Sequence, residues 1–276
     1  MAGEAAASNA EVEAALQTPP DPTAAAFFDV DNTVMQGASI FYLAKGLHRR
    51  KFFTTRDILR AAWDQSRFRI VGSEHQAAVA NAREAALSFI AGHRVEELEW
   101  LGEEIFDEVM ATRIWPGTRA LAQMHLDQGQ RVWLVTAAPV ELAQIIAHRL
   151  GLTGALGTVA EHVDGVYTGR LVGDLLHGPS KATAVKLLAE DEGLDLDRCS
   201  AYSDSIHDLP MLNLVGDPCA INPDGKLRDH ARQHGWRVRD YRTGRKAARA
   251  GLLLAGGLGA AAGGVAAGLG VRRRLH

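Results

Sequence analysis

The sequence predicts an α/β protein in which a mostly parallel sheet is interrupted by an all-helical insertion. From residue 115 onward, short apolar strands alternate with helical segments, the pattern of a parallel sheet covered on both faces. One apolar strand, residues 25–30, stands apart from the others and precedes residues 39–114, where only helical periodicity is found. With 276 residues and 47% hydrophobic content, the chain can bury one large core or two modest ones.

The early strand ends in a polar cluster, Asp29-Val30-Asp31-Asn32-Thr33. Side chains at positions i and i+2 of a strand point the same way, so Asp29 and Asp31 can converge just past its carboxyl end. In open α/β sheets this end of the strands is where ligands bind. The alternative is an Asx turn that only closes the strand.

The helical insertion contains four predicted amphipathic helices, at residues 39–50, 54–70, 73–91 and 95–113. Breaks between them are expected near Lys51-Phe52-Phe53, Gly72 and Gly92. Residues 39–114 are therefore predicted to form a separate helical domain. The α/β core around it is predicted to consist of residues 24–38 and 115–241.

The second part of the core is predicted to alternate strands and helices. Helices are expected at 117–129, 139–150 and 181–192, and strands at 131–135, 199–203, 217–221 and 236–238. Residues 156–175 hold short β segments around Asp164-Gly165, a dipeptide typical of hairpin turns.

Three further polar groups follow strands or begin helices in this part of the chain. The Thr136 hydroxyl and the Ala137 N–H, at a predicted helix start, can form a phosphate site. Lys181 lies in a first helical turn, where a cation is unfavourable unless an anion is bound. Asp204 and Asp208 come after another strand. Taken separately, each group also has an ordinary structural explanation. Thr136 can be a helix cap, Lys181 a surface lysine, and Asp204 and Asp208 an N-cap with an acidic first turn.

The order of these motifs along the chain is more specific than any one of them. Asp-x-Asp-x-Thr, then Thr, then Lys, then Asp-x-x-x-Asp resembles the haloacid dehalogenase (HAD) superfamily of aspartate-nucleophile phosphatases. Within it, the chain resembles the phosphoserine phosphatase-like branch over residues 24–240. The resemblance implies a Rossmann-like HAD core with a helical cap at 39–114. It also implies Mg²⁺-dependent hydrolysis of a small phosphorylated metabolite.

The resemblance also implies a role for each motif residue. Asp29 would be the nucleophile that forms an aspartyl-phosphate, and Asp31 the general acid and base. The phosphate-binding groups would be Thr136, Ala137 and Lys181. The Mg²⁺ ligands would be the Asp29 and Asp204 side chains and the Asp31 carbonyl, with Asp208 as a further ligand or support.

The chain departs from the phosphoserine phosphatase pattern in two places. Thr136 is followed by Ala-Ala-Pro, where those enzymes typically have a Ser-Gly-Gly-type loop. Their cap also carries an acidic and a basic group that hold the amino acid. The candidate counterparts here, or else members of a solvated helix face, are Glu74, Arg67, Arg69 and Arg83. The resemblance therefore implies phosphomonoester hydrolysis and leaves phosphoserine open as the substrate.

The two ends of the chain differ from the body. Residues 1–23 are expected to be a disordered leader. Within the basic tail, 242–276, residues 251–271 contain only Gly, Ala, Leu and Val, and would form a helix about 31 Å long, close to a bilayer's hydrocarbon thickness. From Lys226 onward, 12 Lys and Arg face two Asp and Glu, which predicts contact with an anionic membrane. The alternative is a flexible Gly/Ala tail.

Two other functions compete with the hydrolysis of a small phosphorylated metabolite. One is a membrane-tethered phosphatase of a phosphorylated lipid head group. The other is a membrane-tethered regulatory protein on a HAD fold whose chemistry is dispensable. No nucleic-acid partner is expected, because aromatic residues are not interleaved with the basic ones. Cys199 and Cys219 lack metal-ligand spacing and suit a reducing cytosol, so a cytoplasmic catalytic domain is predicted.

Overall fold

The computed structural model describes residues 21–52 and 90–242. A six-stranded sheet has the order β3-β2-β1-β6-β7-β8. Its strands are β1 (Ala25–Phe28), β2 (Arg131–Pro139), β3 (Gly154–Thr158), β6 (Ser200–Ser203), β7 (Asp217–Ile221) and β8 (Arg237–Arg239). A separate antiparallel hairpin consists of β4 (Ala160–Val163) and β5 (Val166–Leu171). From β3 to β7 all neighbouring strands are parallel, so the predicted α/β fold with a parallel sheet is confirmed.

The helices alternate with these strands. They are α1 (Ser39–Arg49), α2 (Val95–Ile105), α3 (Pro116–Asp127), α4 (Val140–Leu150), α5 (Pro179–Glu192), α6 (Leu209–Leu212) and α7 (Gly225–Gln233). Helix α7 was not predicted, although its start carries a recognisable signal. The Asp224 carboxylate accepts a hydrogen bond from Leu227 N at 2.8 Å and caps the helix.

Strand β1 lies at the centre of the sheet. All four of its residues are buried, as expected of an apolar run covered on both faces. Phe27 is paired with Trp133 of β2 on one side and with Ala201 of β6 on the other. Because the three strands are parallel and in register, the residues that follow them meet at one edge of the sheet.

Strand β2 is longer than predicted, and this changes the setting of the second motif. It continues past Val135 to Pro139, with an irregularity in its pairing to β3 between those two residues. The Thr158 hydroxyl of β3 donates to Ala137 O at 2.8 Å and holds this extension in place. Thr136 and Ala137 therefore lie at the end of a strand, not at a helix start, and α4 begins only at Val140.

The described parts of the insertion, 39–52 and 90–114, contain helices α1 and α2. The predicted helices at 54–70 and 73–91 fall outside the described residues, apart from the end of the second. A Cβ at Gly46 of α1 would lie 2.5 Å from Ile105 Cγ1, so glycine permits the close approach of the two helices. The predicted helix 95–113 is wrong beyond Ile105, where a π-helical turn, Phe106–Met110, and a 3-10 turn, Ala111–Arg113, follow.

Two linkers, residues 34–37 and 113–115, join the insertion to the core and pair with each other. Met35 and Ile114 form an antiparallel bridge. Gln36 N donates to Arg113 O, and Trp115 N donates to Val34 O, both at 2.9 Å. We call this pair of segments the linker ribbon.

The β4–β5 hairpin makes a second attachment to the insertion. Its turn has positive φ at Asp164 and Gly165, which confirms the hairpin predicted from that dipeptide. Gly92 N donates to Tyr167 O at 2.8 Å, and Tyr167 N donates to His93 O at 2.9 Å. Val95 N donates to Gly165 O at 2.9 Å, so the segment before α2 is bound to the core by backbone hydrogen bonds.

The chain divides into two compact units, residues 1–238 and 239–276, and only residues 239–242 of the second are described. Within residues 21–52 and 90–242, no helix has the length and apolar character needed to span a bilayer. Most of the predicted leader and the apolar segment 251–271 lie outside these ranges. The membrane segment therefore stays a prediction. Cys199 and Cys219 are both buried, and neither forms a disulfide bond.

Candidate active site

A buried ion cluster lies where β1 ends. Lys181 Nζ is 2.6 Å from Asp29 Oδ1 and 2.8 Å from Asp208 Oδ2. The Ser203 hydroxyl donates to Asp208 Oδ2 at 2.7 Å. We call these four residues the lysine cluster. Lys181 is 3% exposed and Asp208 2% exposed, so the charges interact largely shielded from water.

Local structure explains why the members of the lysine cluster meet. Asp29 is the first residue after β1, and its N–H donates to Tyr202 O of β6 at 2.9 Å. Lys181 lies in the first turn of α5, which begins with Pro179. A cation in the first turn interacts unfavourably with the helix dipole. Contact with the two carboxylates offsets this cost.

The electrostatics of the cluster are dominated by burial. Burial raises the pKa of Asp29 to about 7, and Asp208 and Asp31 add to the rise, while Lys181 opposes it. Burial acts against the charge of Lys181, but Asp29 and Asp208 outweigh it and raise the pKa of that ammonium. The two carboxylates therefore favour the charged form of the lysine at this site.

Asp31 faces the start of the inserted domain. Its Oδ1 accepts a hydrogen bond from Ser39 N, the first residue of α1, at 2.8 Å. Ala38, at the N-cap position, offers no side-chain cap. The Asp31 carboxylate thus satisfies a free N–H at the positive end of the α1 dipole.

Asp204 follows β6 and lies beside the turn after β1. Burial raises its pKa to about 7, with a further rise from Asp208 and an opposing hydrogen bond from the Asn32 side chain. Asn222 Nδ2 donates to Asn32 O at 2.8 Å, and Asp224 N donates to Asp204 O at 2.7 Å. The end of β7 therefore fixes the backbone of both neighbouring loops.

Thr136 is 2% exposed at the end of β2. Its Oγ1 accepts a hydrogen bond from Ala138 N at 3.2 Å, and its hydroxyl proton can still donate to another oxygen. The Ala137 carbonyl is already engaged by Thr158. The roles of Thr136 and Ala137 in binding phosphate stay predictions.

The oxygen groups at this edge fit a hard divalent cation. Three carboxylates, those of Asp29, Asp204 and Asp208, share one described ammonium, so the site carries excess negative charge when they ionise. Across residues 21–52 and 90–242, no three His, Cys, Asp or Glu side chains are grouped closely enough to hold a metal. The predicted set needs only two carboxylates, a backbone carbonyl and water. Asp208, already bound to Lys181 and Ser203, fits the supporting role.

Sequence reasoning assigned no role to the residues that hold the motif residues in place. These are Ser203, Asn222 and Asp224, together with Tyr202 and His125 beneath the site. The Phe28 and Tyr202 rings are stacked 4.2 Å apart, and His125 Nε2 lies 2.7 Å from Tyr202 Oη. His125 Nδ1 lies 2.5 Å from Gln130 Oε1. The one available signal was Asp224, whose position before a helix is typical of a cap.

The order of the motifs and their convergence at one sheet edge agree with a comparison to known families. The haloacid dehalogenase-like hydrolase model matches residues 26–213. The chain belongs to the haloacid dehalogenase-like hydrolase family. This confirms the family resemblance, and with it the HAD fold.

Two named relatives support an enzymatic role, and one similar solved structure supports the fold. Phosphoserine phosphatase SerB1 of Mycobacterium tuberculosis is 59% identical over 251 residues, which are 91% of this chain and 82% of the relative. The probable phosphatase Rv3661 of the same species is 33% identical over 224 residues, 81% of this chain and 77% of the relative. A crystal structure of a protein with unknown function from Bordetella pertussis Tohama I has a TM-score of 0.67 at 29% identity, covering 81% of this chain and 99% of that chain. The prediction of a HAD phosphatase similar to phosphoserine phosphatases is confirmed.

Proposed function

We propose that this HAD phosphatase hydrolyses small phosphomonoesters with Mg²⁺, through an aspartyl-phosphate on Asp29. The contact of Lys181 with both Asp29 and Asp208 is the observation that carries the proposal. A buried lysine held between two carboxylates beside a strand end is costly for stability alone. It is well suited to receive a phosphoryl group, whose charge the ammonium would balance.

In the first step, an Asp29 carboxylate oxygen attacks phosphorus while the bond from phosphorus to the ester oxygen breaks. Asp31 gives its proton to that leaving oxygen, so the product departs as a neutral alcohol. Lys181, together with the hydroxyl of Thr136 and the N–H of Ala137, holds the phosphoryl oxygens during the transfer.

In the second step, Asp31 takes a proton from a water molecule, which attacks phosphorus. The bond from phosphorus to the Asp29 oxygen breaks, and inorganic phosphate leaves. Asp31 is then protonated and Asp29 is again a free carboxylate, so the enzyme returns to its starting state.

Asp29, Asp204 and the Asp31 carbonyl would hold the Mg²⁺ ion, with Asp208 fixed behind them by Ser203. When bound, Mg²⁺ lowers the repulsion between the Asp29 carboxylate and the anionic substrate. Asn32, which donates a hydrogen bond to Asp204, would keep that ligand oriented.

Small phosphorylated metabolites are the proposed substrates, and phosphoserine is the first to test because a relative at 59% identity is named for it. The test is phosphate release from p-nitrophenyl phosphate and O-phosphoserine by the purified full chain, with Mg²⁺ and with EDTA. We expect turnover only with Mg²⁺. Asp29→Asn should lower the rate on the order of 10⁶-fold, the scale seen when a nucleophile is removed. The matched control is Asp191→Asn, an exposed aspartate of α5, which should leave the rate unchanged.

The metal assignment has its own experiment. Asp204→Asn should raise the Mg²⁺ concentration for half-maximal activity by roughly 10- to 100-fold or more, because a charged ligand is replaced by a neutral one. Wild-type activity that is unaffected by EDTA would overturn the metal assignment. Full activity of Asp29→Asn would overturn the proposed nucleophile.

A further inference from the structure

Arg113 of the linker ribbon has the features of a residue that binds an anion. Its Nε atom is buried and has no hydrogen-bond partner among the described residues. The half-buried arginines Arg50 and Arg131 instead pair with Glu104 and Glu192. A buried donor without a partner costs free energy, so its retention calls for an explanation.

The guanidinium of Arg113 is nevertheless held in one orientation. Its Cζ lies 4.5 Å from the centre of the Tyr42 ring, a cation–π contact. The backbone of Arg113 is fixed as well, because its carbonyl accepts from Gln36 N at 2.9 Å. Since Tyr42 covers one face of the guanidinium, the planar edge that carries Nε–H and an Nη–H is the part left to bind a ligand.

The guanidinium of Arg113 is linked to the candidate active site through helix α1. Asp31 contacts the N–H of Ser39, and Tyr42 follows three residues later on the same helix. One helical turn advances about 5.4 Å, so the ring under Arg113 is one turn from the proposed acid and base. Gly37 completes this short connection. A Cβ there would lie 2.7 Å from Tyr42 Oη, so the linker lies directly against the ring.

The lack of charged residues in the neighbouring stretch of sequence indicates which kind of group Arg113 binds. The stretch from Asn32 to Leu43 contains no Asp, Glu, Lys or Arg. No carboxylate of this stretch neutralises Arg113, and none is present there to bind a substrate ammonium. Two parallel N–H donors on a planar edge match the two oxygens of a carboxylate.

We propose that Arg113 binds a carboxylate of the substrate, so that the preferred substrates are phosphomonoesters of hydroxy acids. The inference rests on the proposed phosphatase function and adds the substrate class. In this role Arg113 and the phosphate-binding groups hold opposite ends of one small molecule. The amino group of phosphoserine is not required by this contact.

The experiment compares pairs of substrates within each variant. O-phosphoserine and O-phosphoethanolamine differ by one carboxylate. Loss of a hydrogen-bonded ion pair should lower kcat/KM for phosphoserine about 10- to 100-fold more than for phosphoethanolamine in Arg113→Met. Phosphoglycolate, which has the carboxylate and no amino group, should lose as much as phosphoserine, and the change should be mainly in KM.

Two further variants separate binding from structure. Arg119→Met removes an exposed arginine of α3 and should leave every substrate unchanged. Arg113→Lys keeps the charge without the planar edge, so its loss for phosphoserine relative to phosphoethanolamine should be intermediate. If Arg113→Met does not fold, Arg113→Lys is compared with wild type instead.

Equal losses for all substrates would show that Arg113 only stabilises the linker ribbon, and would overturn the inference. Equal activity of Arg113→Met and wild type on phosphoserine would also overturn it. A wild-type protein that cleaves none of the three esters would instead contradict the proposed function, so the two failures are distinct.

Discussion

The lysine cluster and the linker ribbon are built in opposite ways. In the cluster, Lys181 contacts two carboxylates and Ser203 contacts one of them, all within 2.8 Å and all buried. In the ribbon, Arg113 has an aromatic ring on one face, and its buried Nε has no hydrogen-bond partner among the described residues. The groups proposed for the chemistry are thus paired with one another, whereas the group proposed for substrate choice is not paired within the described part of the chain. On these proposals, the core carries out the reaction and the boundary with the inserted domain selects the substrate.

Among the changes that test this comparison, the largest expected effect concerns Asp31, which lies next to both regions. In Asp31→Asn the amide oxygen can still accept from Ser39 N, so α1 should keep its cap while the transferable proton is lost. We expect turnover to fall by about 10²- to 10⁴-fold. With p-nitrophenyl phosphate, whose leaving group needs no proton, a burst of p-nitrophenol equal to the enzyme concentration should precede slow turnover. A variant without a burst, slow in the first step as well, would contradict the assignment.

Removal of the cation should cost the most stability. Lys181→Met leaves Asp29 and Asp208 buried together without their partner, which should lower the free energy of unfolding by about 3–5 kcal/mol. Chemical denaturation measures this change. Lys186→Met, an exposed lysine of the same helix, should change it by less than about 0.5 kcal/mol. Similar values for both variants would mean that the cluster is not a closed ion pair in solution.

Beneath the cluster, His125 should make stability depend on pH. Burial lowers the pKa of His125, against the effects of Gln130 and Asp217, so the unfolded chain binds a proton first as pH falls. Stability should therefore be lost below pH 6.5, the ordinary value, by up to about 1.4 kcal/mol per pH unit until the folded pKa is reached. The measurement is the difference in unfolding free energy between wild type and His125→Gln from pH 7.5 downward to about 5. A difference in unfolding free energy that does not change with pH would contradict this role of His125.

The smallest expected effect lies in the linker. Gly37 has φ of +83°, and an added Cβ would lie 2.7 Å from Tyr42 Oη. Gly37→Ala should therefore lower stability by about 1 kcal/mol or more. Tyr42→Phe removes the clashing oxygen, so the double variant should recover part of that loss and leave the cost of the positive φ. Additive losses in thermal or chemical unfolding would show that the ring is not packed on the linker.

The sequence was sufficient for those parts of the fold that depend on local pattern. The alternation after Trp115 predicted the parallel sheet, and Asp164-Gly165 predicted the hairpin, because both signals are contained in a few neighbouring residues. The site was predictable to the level of Asp29 and Lys181 because parallel strands share one carboxyl edge. Their catalytic roles remain predictions that the experiments above address.

Other features depend on contacts between distant residues and could not be predicted. The extension of β2 through Thr136 depends on a partner in β3, which local sequence does not identify. The π-helical turn at Phe106–Met110 replaces what the apolar spacing indicated as continuous helix. The buried Nε of Arg113, which has no partner within residues 21–52 and 90–242, becomes evident only when the two linkers are brought together.

The hydrogen bonds between the β4–β5 hairpin and residues 92–95 bear on how this domain could be recombined. A cap transplanted from a relative as residues 39–114 alone would keep its covalent joins but would have to form the hydrogen bonds of Gly92, His93 and Val95 again with the hairpin of another core. The natural unit of exchange is therefore discontinuous. A chimera should carry the hairpin from the same donor as the cap, although residues 115–159 of the core separate the two along the chain.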